Sequence, residues 1–147
     1  MTLVVLLRHA HSTANESGIL AGRLKGIDLS RKGAKQASEL THRLGKFPIK
    51  EIRISPLERC HQTDAPWLEA IKVKSRFVVD PNLEEVDYGQ WTGKKLSSLS
   101  RKKEWKTVQN TPSKMRFPEG ETITAMNKRA IKALNEGLAS RGSGALV

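Results

Sequence analysis

The chain has 147 residues, of which 37% are hydrophobic and 28% charged, a length and balance that support one folded domain and exclude a disordered chain. No apolar run approaches the roughly 18 residues that a membrane-spanning helix needs, and the single cysteine, Cys60, excludes an intramolecular disulfide and suits the cytoplasm. The net charge of +11 is compatible with a phosphorylated substrate, but aromatic residues make up only 5% of the chain, which argues against nucleic-acid binding by stacking.

The first third of the chain predicts a strand, a long loop and a helix. Residues 3–7 form a short apolar run without a basic leader or a cleavage site, so we interpret it as a buried strand rather than a signal peptide. Residues 10–29 contain three glycines and many polar side chains, which is typical of a functional loop. Ser30 is a good N-cap for a helix that ends near Gly45.

The middle of the chain repeats the pattern of a strand followed by a helix. Residues 51–54 alternate between charged and apolar side chains and predict a second strand. Pro56 suits the first turn of the next helix, and Pro66 predicts a kink or a restart within it. We expect a third strand at 77–79, followed by an acidic loop over 81–93.

The last third predicts two helices and the start of a further strand. We expect a helix over 94–108 and a loop over 111–120. Thr122 is an N-cap for a helix whose apolar residues recur at spacings of three and four, and residues 145–147 begin a strand. Strands that alternate with helices predict an α/β fold, a three-layer α/β/α sandwich with a mostly parallel sheet, as a single domain over residues 1–147.

An arginine and a histidine follow directly after the first strand. Arg8 and His9 therefore lie at the carboxyl end of that strand, the edge of an α/β sheet where ligands bind. A guanidinium donates paired hydrogen bonds to phosphate oxygens, and a neutral imidazole is a nucleophile toward phosphorus. Ser12 and Asn15 would add neutral donors, so this segment predicts an anion site.

The segment from Leu6 to Asn15 resembles the Arg-His-Gly signature of the histidine phosphatase superfamily, which is also called phosphoglycerate mutase-like. The resemblance implies that Arg8 binds phosphate, that His9 becomes phosphorylated and that Asn15 lines the phosphate pocket. Ala10 replaces the usual glycine, and alanine at a positive φ would cost about 1 kcal/mol.

Residues 55–63 resemble the family's Ser-Pro-Leu-x-Arg-x-x-x-Thr segment, which supplies a second arginine to the pocket. That role falls on Arg59, in the first turns of the helix that follows the second strand. We expect the two guanidiniums, which follow separate strands, to bind one phosphoryl group from two sides. The alternative is a surface salt bridge from Arg59 to Glu58 or Asp64.

Residues 83–93 resemble the family's Leu-x-Glu-x-x-x-Gly segment, whose glutamate donates a proton to the leaving oxygen. The resemblance assigns this role to Glu85 rather than Glu84. A carboxylate anion is disfavoured beside phosphate oxygens, so the carboxyl holds the proton that the leaving oxygen needs. Without the resemblance, a solvated acidic loop explains this stretch equally well.

Two further matches are a glycine in the first loop and a Pro-x-Gly-Glu-Ser-like segment over residues 117–122. Gly22 corresponds to a family glycine whose backbone approaches the substrate. Glu121 falls beside the start of the last helix, where we expect it to cap the helix rather than contact substrate.

In the family, a second catalytic histidine follows a later strand in a Ser-His-Gly or Thr-His-Gly turn. The sequence ends within a stretch that resembles this strand, so we expect a domain that is incomplete at its C-terminus, with impaired activity and poor stability. We expect the strand that begins near Gly144 to lie in mid-sheet beside the first strand. His11 is the only other histidine expected near the pocket.

The resemblance favours a phosphomonoester hydrolase or phosphomutase that forms a phosphohistidine on His9. It implies a small phosphorylated substrate, no metal and no other cofactor. Two alternatives stay open: a catalytically dead phosphate-binding pseudoenzyme or interaction module, and a basic nucleic-acid-binding protein. The sequence suggests no membrane association and does not indicate the oligomeric state.

Overall fold

Four parallel strands form one sheet in the computed structural model, which describes residues 3–46, 48–72, 74–139 and 144–146. The strands are β1 (Val4–Leu6), β2 (Glu51–Ile54), β3 (Arg76–Val79) and β4 (Gly144–Leu146). Their order across the sheet is β1-β4-β2-β3, with Gly144 paired to both Val4 and Glu51. The last strand therefore lies in mid-sheet beside the first, as predicted, and Val147 falls outside the described residues.

Helices pack on both faces of the sheet, which confirms the predicted α/β/α sandwich. They are α1 (Thr13–Glu16), α2 (Arg31–Ser38), α3 (Leu40–Leu44), α4 (Glu58–Ile71), α5 (Leu96–Leu99), α6 (Trp105–Asn110) and α7 (Ile123–Ala139). Because side chains alternate along a strand, β2 presents Ile54 toward Cys60 of α4, and it presents Arg53 toward Glu136 of α7.

Three helical boundaries differ from the predictions. The helix expected over residues 31–45 breaks at Glu39, after the Ser38 hydroxyl donates to the Lys35 carbonyl. The helix expected over 94–108 is divided in the same way, since the Ser100 hydroxyl donates to the Ser97 carbonyl where α5 ends. At Ser97 the hydroxyl takes the place of the Arg101 N–H, which donates to the Ser98 carbonyl instead. At Lys35 the hydroxyl adds a second donor beside the Glu39 N–H.

Helix α4 differs in the opposite sense, because it runs without interruption through Pro66. The proline ring removes one backbone hydrogen bond. Trp67 is fully buried and packs with Ile71 and Leu40, and this tertiary contact holds the helix together across the missing bond.

Two predictions for the first half of the chain are confirmed: β2 spans the expected residues, and the Ser30 hydroxyl accepts from the backbone N–H of Gly33. Pro56 lies before α4 rather than in its first turn, because Leu57 is the N-cap of that helix. The first strand is not buried throughout, since Leu6 is 73% exposed, and the loop expected over residues 10–29 contains the short helix α1.

A second hydrophobic core lies beneath the segments between β3 and α7. Its buried members are Val86, Trp91, Leu99, Met115 and Phe117. Tyr88 packs edge-on against one of them, with ring centroids 4.8 Å apart, and so ties the segment around Glu85 to this core. In the parts of the chain that the structure describes, no helix combines the length and apolar character required to cross a membrane.

Candidate active site

His9 follows β1 and lies at the carboxyl edge of the sheet, with its ring partly buried. Its Nδ1 lies 2.7 Å from the carbonyl oxygen of Ala10. A carbonyl only accepts hydrogen bonds, so Nδ1 carries the proton and the neutral ring has its lone pair on Nε2. Burial lowers the pKa of His9 most strongly, and the charges of Arg59 and Arg8 lower it further against the opposing effects of the Ala10 hydrogen bond and Glu85.

Arg59 lies in the first turn of α4 and is only 2% exposed. Its Nη2 donates to the carbonyl of Gly22 at 2.9 Å, whereas its Nη1 is buried and has no hydrogen-bond partner among the described residues. No ion pair joins it to Glu58 or Asp64, all three residues being described, so the salt-bridge alternative is not observed. A buried donor without a partner is costly, and an anion would satisfy it.

Thr63 joins the two chain segments that carry Arg59 and His9. Its hydroxyl donates to the carbonyl of Arg59 at 2.7 Å and accepts the backbone N–H of Ala10 at 2.9 Å. The threonine of the second motif therefore fixes the turn that carries His9 against the first turn of α4. This contact gives a structural reason for the spacing between arginine and threonine in that motif.

Asn15 and Ser12 form a capping box at the start of α1. The backbone N–H and hydroxyl of Ser12 donate to Oδ1 of Asn15 at 2.9 and 3.0 Å. This fixes the Asn15 amide so that its Nδ2 donors remain available. Ser12 itself is buried and its hydroxyl lies within the cap, so it contacts Asn15 instead of opening onto the surface.

A hollow of about 350 Å³ opens beside His9 and is lined by polar side chains: Arg8, His9, His11, Asn15 and Gln36. Arg8 is exposed and makes no ion pair or hydrogen bond within the described part of the chain, so its guanidinium remains available to an anion. The structure thus brings three predicted site residues to one hollow. Arg59 and Glu85 do not line it, but both lie near enough for their charges to affect the pKa of His9.

Glu85 and Glu84 have different surroundings. Oε1 of Glu85 accepts the backbone N–H of Val86 at 3.0 Å and lies 3.4 Å from the hydroxyl of Tyr88. Burial, followed by the charge of Glu85, raises the pKa of Tyr88, so its hydroxyl stays a donor. Glu84 instead forms an ion pair with Arg23 at 3.3 Å. Of the two glutamates, Glu85 is the one whose charge acts on His9.

Glu121 does not cap α7 as expected. Its carboxylate accepts from Arg23 and Arg129, each at 2.9 Å, and from the backbone N–H of Asp87 at 3.1 Å. The helix is instead capped by Thr122, whose hydroxyl accepts the N–H of Ala125. Sequence reasoning missed both arginines, because no local spacing connects them with the segment that they hold.

His11 lines the same hollow as His9. Its Nδ1 lies 2.8 Å from the hydroxyl of Ser30, and that hydroxyl also donates to the His11 carbonyl. The hydroxyl proton is therefore engaged, and Nδ1–H of His11 is the donor to its oxygen. Sequence reasoning also missed Gln36, whose side-chain oxygen accepts the backbone N–H of His11 at 3.0 Å. The described residues contain no group of histidine, cysteine and acidic side chains suited to a metal ion.

Comparisons with known proteins agree on one family. The model of the histidine phosphatase superfamily (branch 1) matches residues 4–147. The protein named "Phosphoserine phosphatase 1" of Hydrogenobacter thermophilus is 31% identical over 139 residues, which are 92% of this chain and 64% of that protein. "Probable phosphoglycerate mutase GpmB" of Erwinia tasmaniensis is 30% identical over 137 residues, 92% of this chain and 62% of its own length. The chain therefore spans less than two thirds of either relative.

A solved structure, Bacillus stearothermophilus YhfR, superposes with a TM-score of 0.88. The superposition covers 100% of this chain and 73% of that one, at 20% sequence identity. An identity this low shows the shared fold alone.

Proposed function

Because this chain belongs to the histidine phosphatase superfamily, we propose that it hydrolyses small phosphomonoesters through a covalent phosphohistidine on His9. One observation carries the proposal. The hydrogen bond from Nδ1 of His9 to the Ala10 carbonyl leaves the lone pair on Nε2, in a ring whose pKa is lowered. That nitrogen is the nucleophile, and two guanidiniums lie near enough to stabilise the phosphoryl group it attacks.

In the first half-reaction, Nε2 of His9 forms a bond to phosphorus as the bond from phosphorus to the ester oxygen breaks. Arg8 and Arg59 neutralise the charge that spreads over the non-bridging oxygens. The unpartnered Nη1 of Arg59 supports this role, because a phosphoryl oxygen would supply its missing acceptor. Asn15 contributes amide donors. Glu85, protonated once the phosphate oxygens lie beside it, gives its proton to the departing oxygen, which leaves as an alcohol.

In the second half-reaction, the Glu85 carboxylate takes a proton from water as the water oxygen attacks phosphorus. The bond from phosphorus to Nε2 breaks, inorganic phosphate leaves, and His9 and Glu85 return to their starting states. A phosphomutase differs only at this step, since an alcohol of the substrate then takes the place of water. The relatives include proteins named for each activity. The segment between Trp91 and Phe117 has no sugar or nucleotide signature, which supports a small phosphomonoester.

The test compares the unmodified chain with His9→Ala on a panel of alkyl and aryl phosphate esters. The matched control is His42→Ala, which removes an exposed histidine of α3. We expect phosphate release from the unmodified chain and from His42→Ala only, with an acid-labile phosphoryl group trapped on His9. Equal release by His9→Ala would refute the phosphohistidine mechanism. Phosphate binding without turnover would instead indicate a binding module.

The pH profile gives an independent check of the nucleophile. Protonated His9 has no lone pair on Nε2, so kcat/KM should fall as pH drops through the pKa of His9. Because that pKa lies below 6.5, the acidic limb of the profile should also lie below pH 6.5. Titration of the His9 ring followed by NMR measures the same pKa directly, and a ring pKa above the ordinary value of histidine would contradict the assignment.

A further inference from the structure

The main chain around Glu85 is held by one arginine of α7. Nη1 of Arg129 donates to the carbonyls of Asn82 at 2.8 Å and Glu84 at 2.6 Å, and Nη2 donates to the carbonyl of Glu85 at 3.0 Å. The same guanidinium donates to both oxygens of Glu121, at 3.0 Å from Nε and 2.9 Å from Nη2. A planar guanidinium has donors in a fixed fork, and this one uses every nitrogen on the segment or on its partner carboxylate.

A second arginine holds the same carbonyl from the first loop. Nε of Arg23 donates to the carbonyl of Glu85 at 2.9 Å, and its Nη2 donates to Glu121 at 2.9 Å. Burial disfavours ionisation of Glu121, but its bonds to Arg129 and to the Asp87 N–H and the charges of both arginines outweigh burial, so its pKa is lowered. The ionised form of Glu121 is thus favoured between two cations, and the three side chains together hold the Glu85 backbone.

We propose that Arg129 is a positioning residue for the proton donor of the proposed reaction. The carboxyl of Glu85 is tied to its own local backbone, through the Val86 N–H at 3.0 Å. Any shift of this backbone therefore moves the carboxyl relative to the leaving oxygen. A misplacement of 1 Å at a reacting group costs about 10²-fold in rate. The inference rests on the proposed function, because it assigns Arg129 to a step of that reaction.

The leaving group distinguishes positioning of Glu85 from a purely structural role. An alkoxide must be protonated as it departs, whereas 4-nitrophenolate is stable enough to depart without a proton. If Arg129 acts through Glu85, its loss should slow alkyl esters selectively. A loss of folded protein or of phosphate binding would instead slow both classes of ester equally.

The experiment measures kcat/KM of Arg129→Met and Arg129→Lys for 4-nitrophenyl phosphate and for the best alkyl ester of the panel. We expect both variants to lose about 10²-fold on the alkyl ester and to stay within roughly threefold of the unmodified chain on the aryl ester. Lysine keeps the charge but cannot span three carbonyls and a carboxylate. The matched control, Lys132→Met, removes an exposed cation of the same helix and should change neither rate.

A double variant tests whether the effect passes through Glu85. Adding Arg129→Met to Glu85→Gln should cause no further loss on the alkyl ester, because the proton donor is already absent. A further loss, or an equal loss on both esters, would overturn the positioning role. If Arg129→Met fails to fold, Arg23→Met tests the same carbonyl with a half-exposed side chain and should show the same selectivity. Absence of His9-dependent hydrolysis in the unmodified chain would overturn the proposed function itself, and this role with it.

Discussion

Two buried arginines on neighbouring elements have opposite surroundings. Arg53 of β2 is 7% exposed and Arg59 of α4 is 2% exposed. Arg53 is bonded to three carboxylates, those of Glu51, Asp80 and Glu136, at 2.5, 2.8 and 2.9 Å. Within the described part of the chain, Arg59 has one carbonyl partner, at Nη2, and its Nη1 has none. Nε and Nη1 of Arg53 both have carboxylate partners, whereas no carboxylate of the described residues pairs with Arg59.

The difference separates a structural cation from one kept available for a ligand. Breaking a buried ion pair leaves uncompensated charge, so the Arg53 cluster stabilises the contact between β2 and α7. A buried donor without a partner lowers stability, and proteins retain such groups where a ligand completes them. Arg59 lies close enough to affect the charge of His9, at the edge where the proposed reaction takes place. Each arginine therefore makes a different prediction for stability and for phosphate binding.

The largest expected effect is on stability, in Arg53→Met. Removing this cation takes the main partner from two buried carboxylates, those of Glu51 and Asp80, and we expect a loss of about 3–5 kcal/mol in the free energy of unfolding. Urea unfolding measures it. Arg76→Met is the control, because Arg76 is 67% exposed and lies 3.4 Å from Glu51, so its loss should cost less than about 1 kcal/mol. Equal losses in the two variants would show that the burial of Arg53 adds nothing to its effect on the free energy of unfolding.

The next effect is on catalysis, in Arg59→Met. Methionine fills much of the same volume without donors, and the loss of one charged donor to the transition state should lower kcat by about 10²–10³-fold. Its unfolding free energy should hardly change, since the lost bond to Gly22 is offset by removal of an unsatisfied buried donor. Calorimetry with inorganic phosphate measures the loss of affinity. If Arg59→Met lost as much unfolding free energy as Arg53→Met and still bound phosphate normally, Arg59 would be a structural cation and not one kept available for a ligand.

The contrast between the two arginines also shows which functional and structural residues can be predicted from the sequence. His9 and Arg59 belong to short motifs, each next to a strand end or a helix start, and the resemblance of these motifs to the family assigned their roles. Two of the three partners of Arg53, Asp80 and Glu136, lie far from it along the chain, and pairing across such separations leaves no pattern in the sequence. Arg129 was missed for the same reason.

A third effect concerns a buried carboxyl group of α4, that of Asp64. Asp64 is 2% exposed, and no residue that the structure describes donates a hydrogen bond to its Oδ2. Burial raises its pKa from 3.8 to about 7. Between about pH 4 and 7 the folded state therefore binds more protons than the unfolded state, so stability falls as pH rises through this window. We expect Asp64→Asn to remove a slope of up to about 1.4 kcal/mol per pH unit.

Urea unfolding of the unmodified chain and of Asp64→Asn, at several pH values from 4 to 8, measures this slope. Asp80 is the matched comparison, because Arg53 and Asn82 outweigh its burial and lower its pKa. The contribution of Asp80 to stability is therefore lost as pH falls, which is the opposite of the pH dependence expected from Asp64. Identical pH profiles for the unmodified chain and Asp64→Asn would show that Asp64 does not cause the pH dependence of the unfolding free energy.

The smallest effect concerns the one carbonyl that holds Arg59. Gly22 has a φ of +54°, and a Cβ there would lie 3.0 Å from Cδ2 of Tyr88. Gly22→Ala should cost about 1 kcal/mol in stability through backbone strain, and it should also weaken phosphate binding because its carbonyl moves away from Arg59. Gly18→Ala is the control, since Gly18 has a φ of +64° and nothing within 4 Å of the added carbon. Both variants share the backbone strain. A loss of phosphate affinity in Gly22→Ala but not in Gly18→Ala would therefore show that the Gly22 carbonyl positions Arg59.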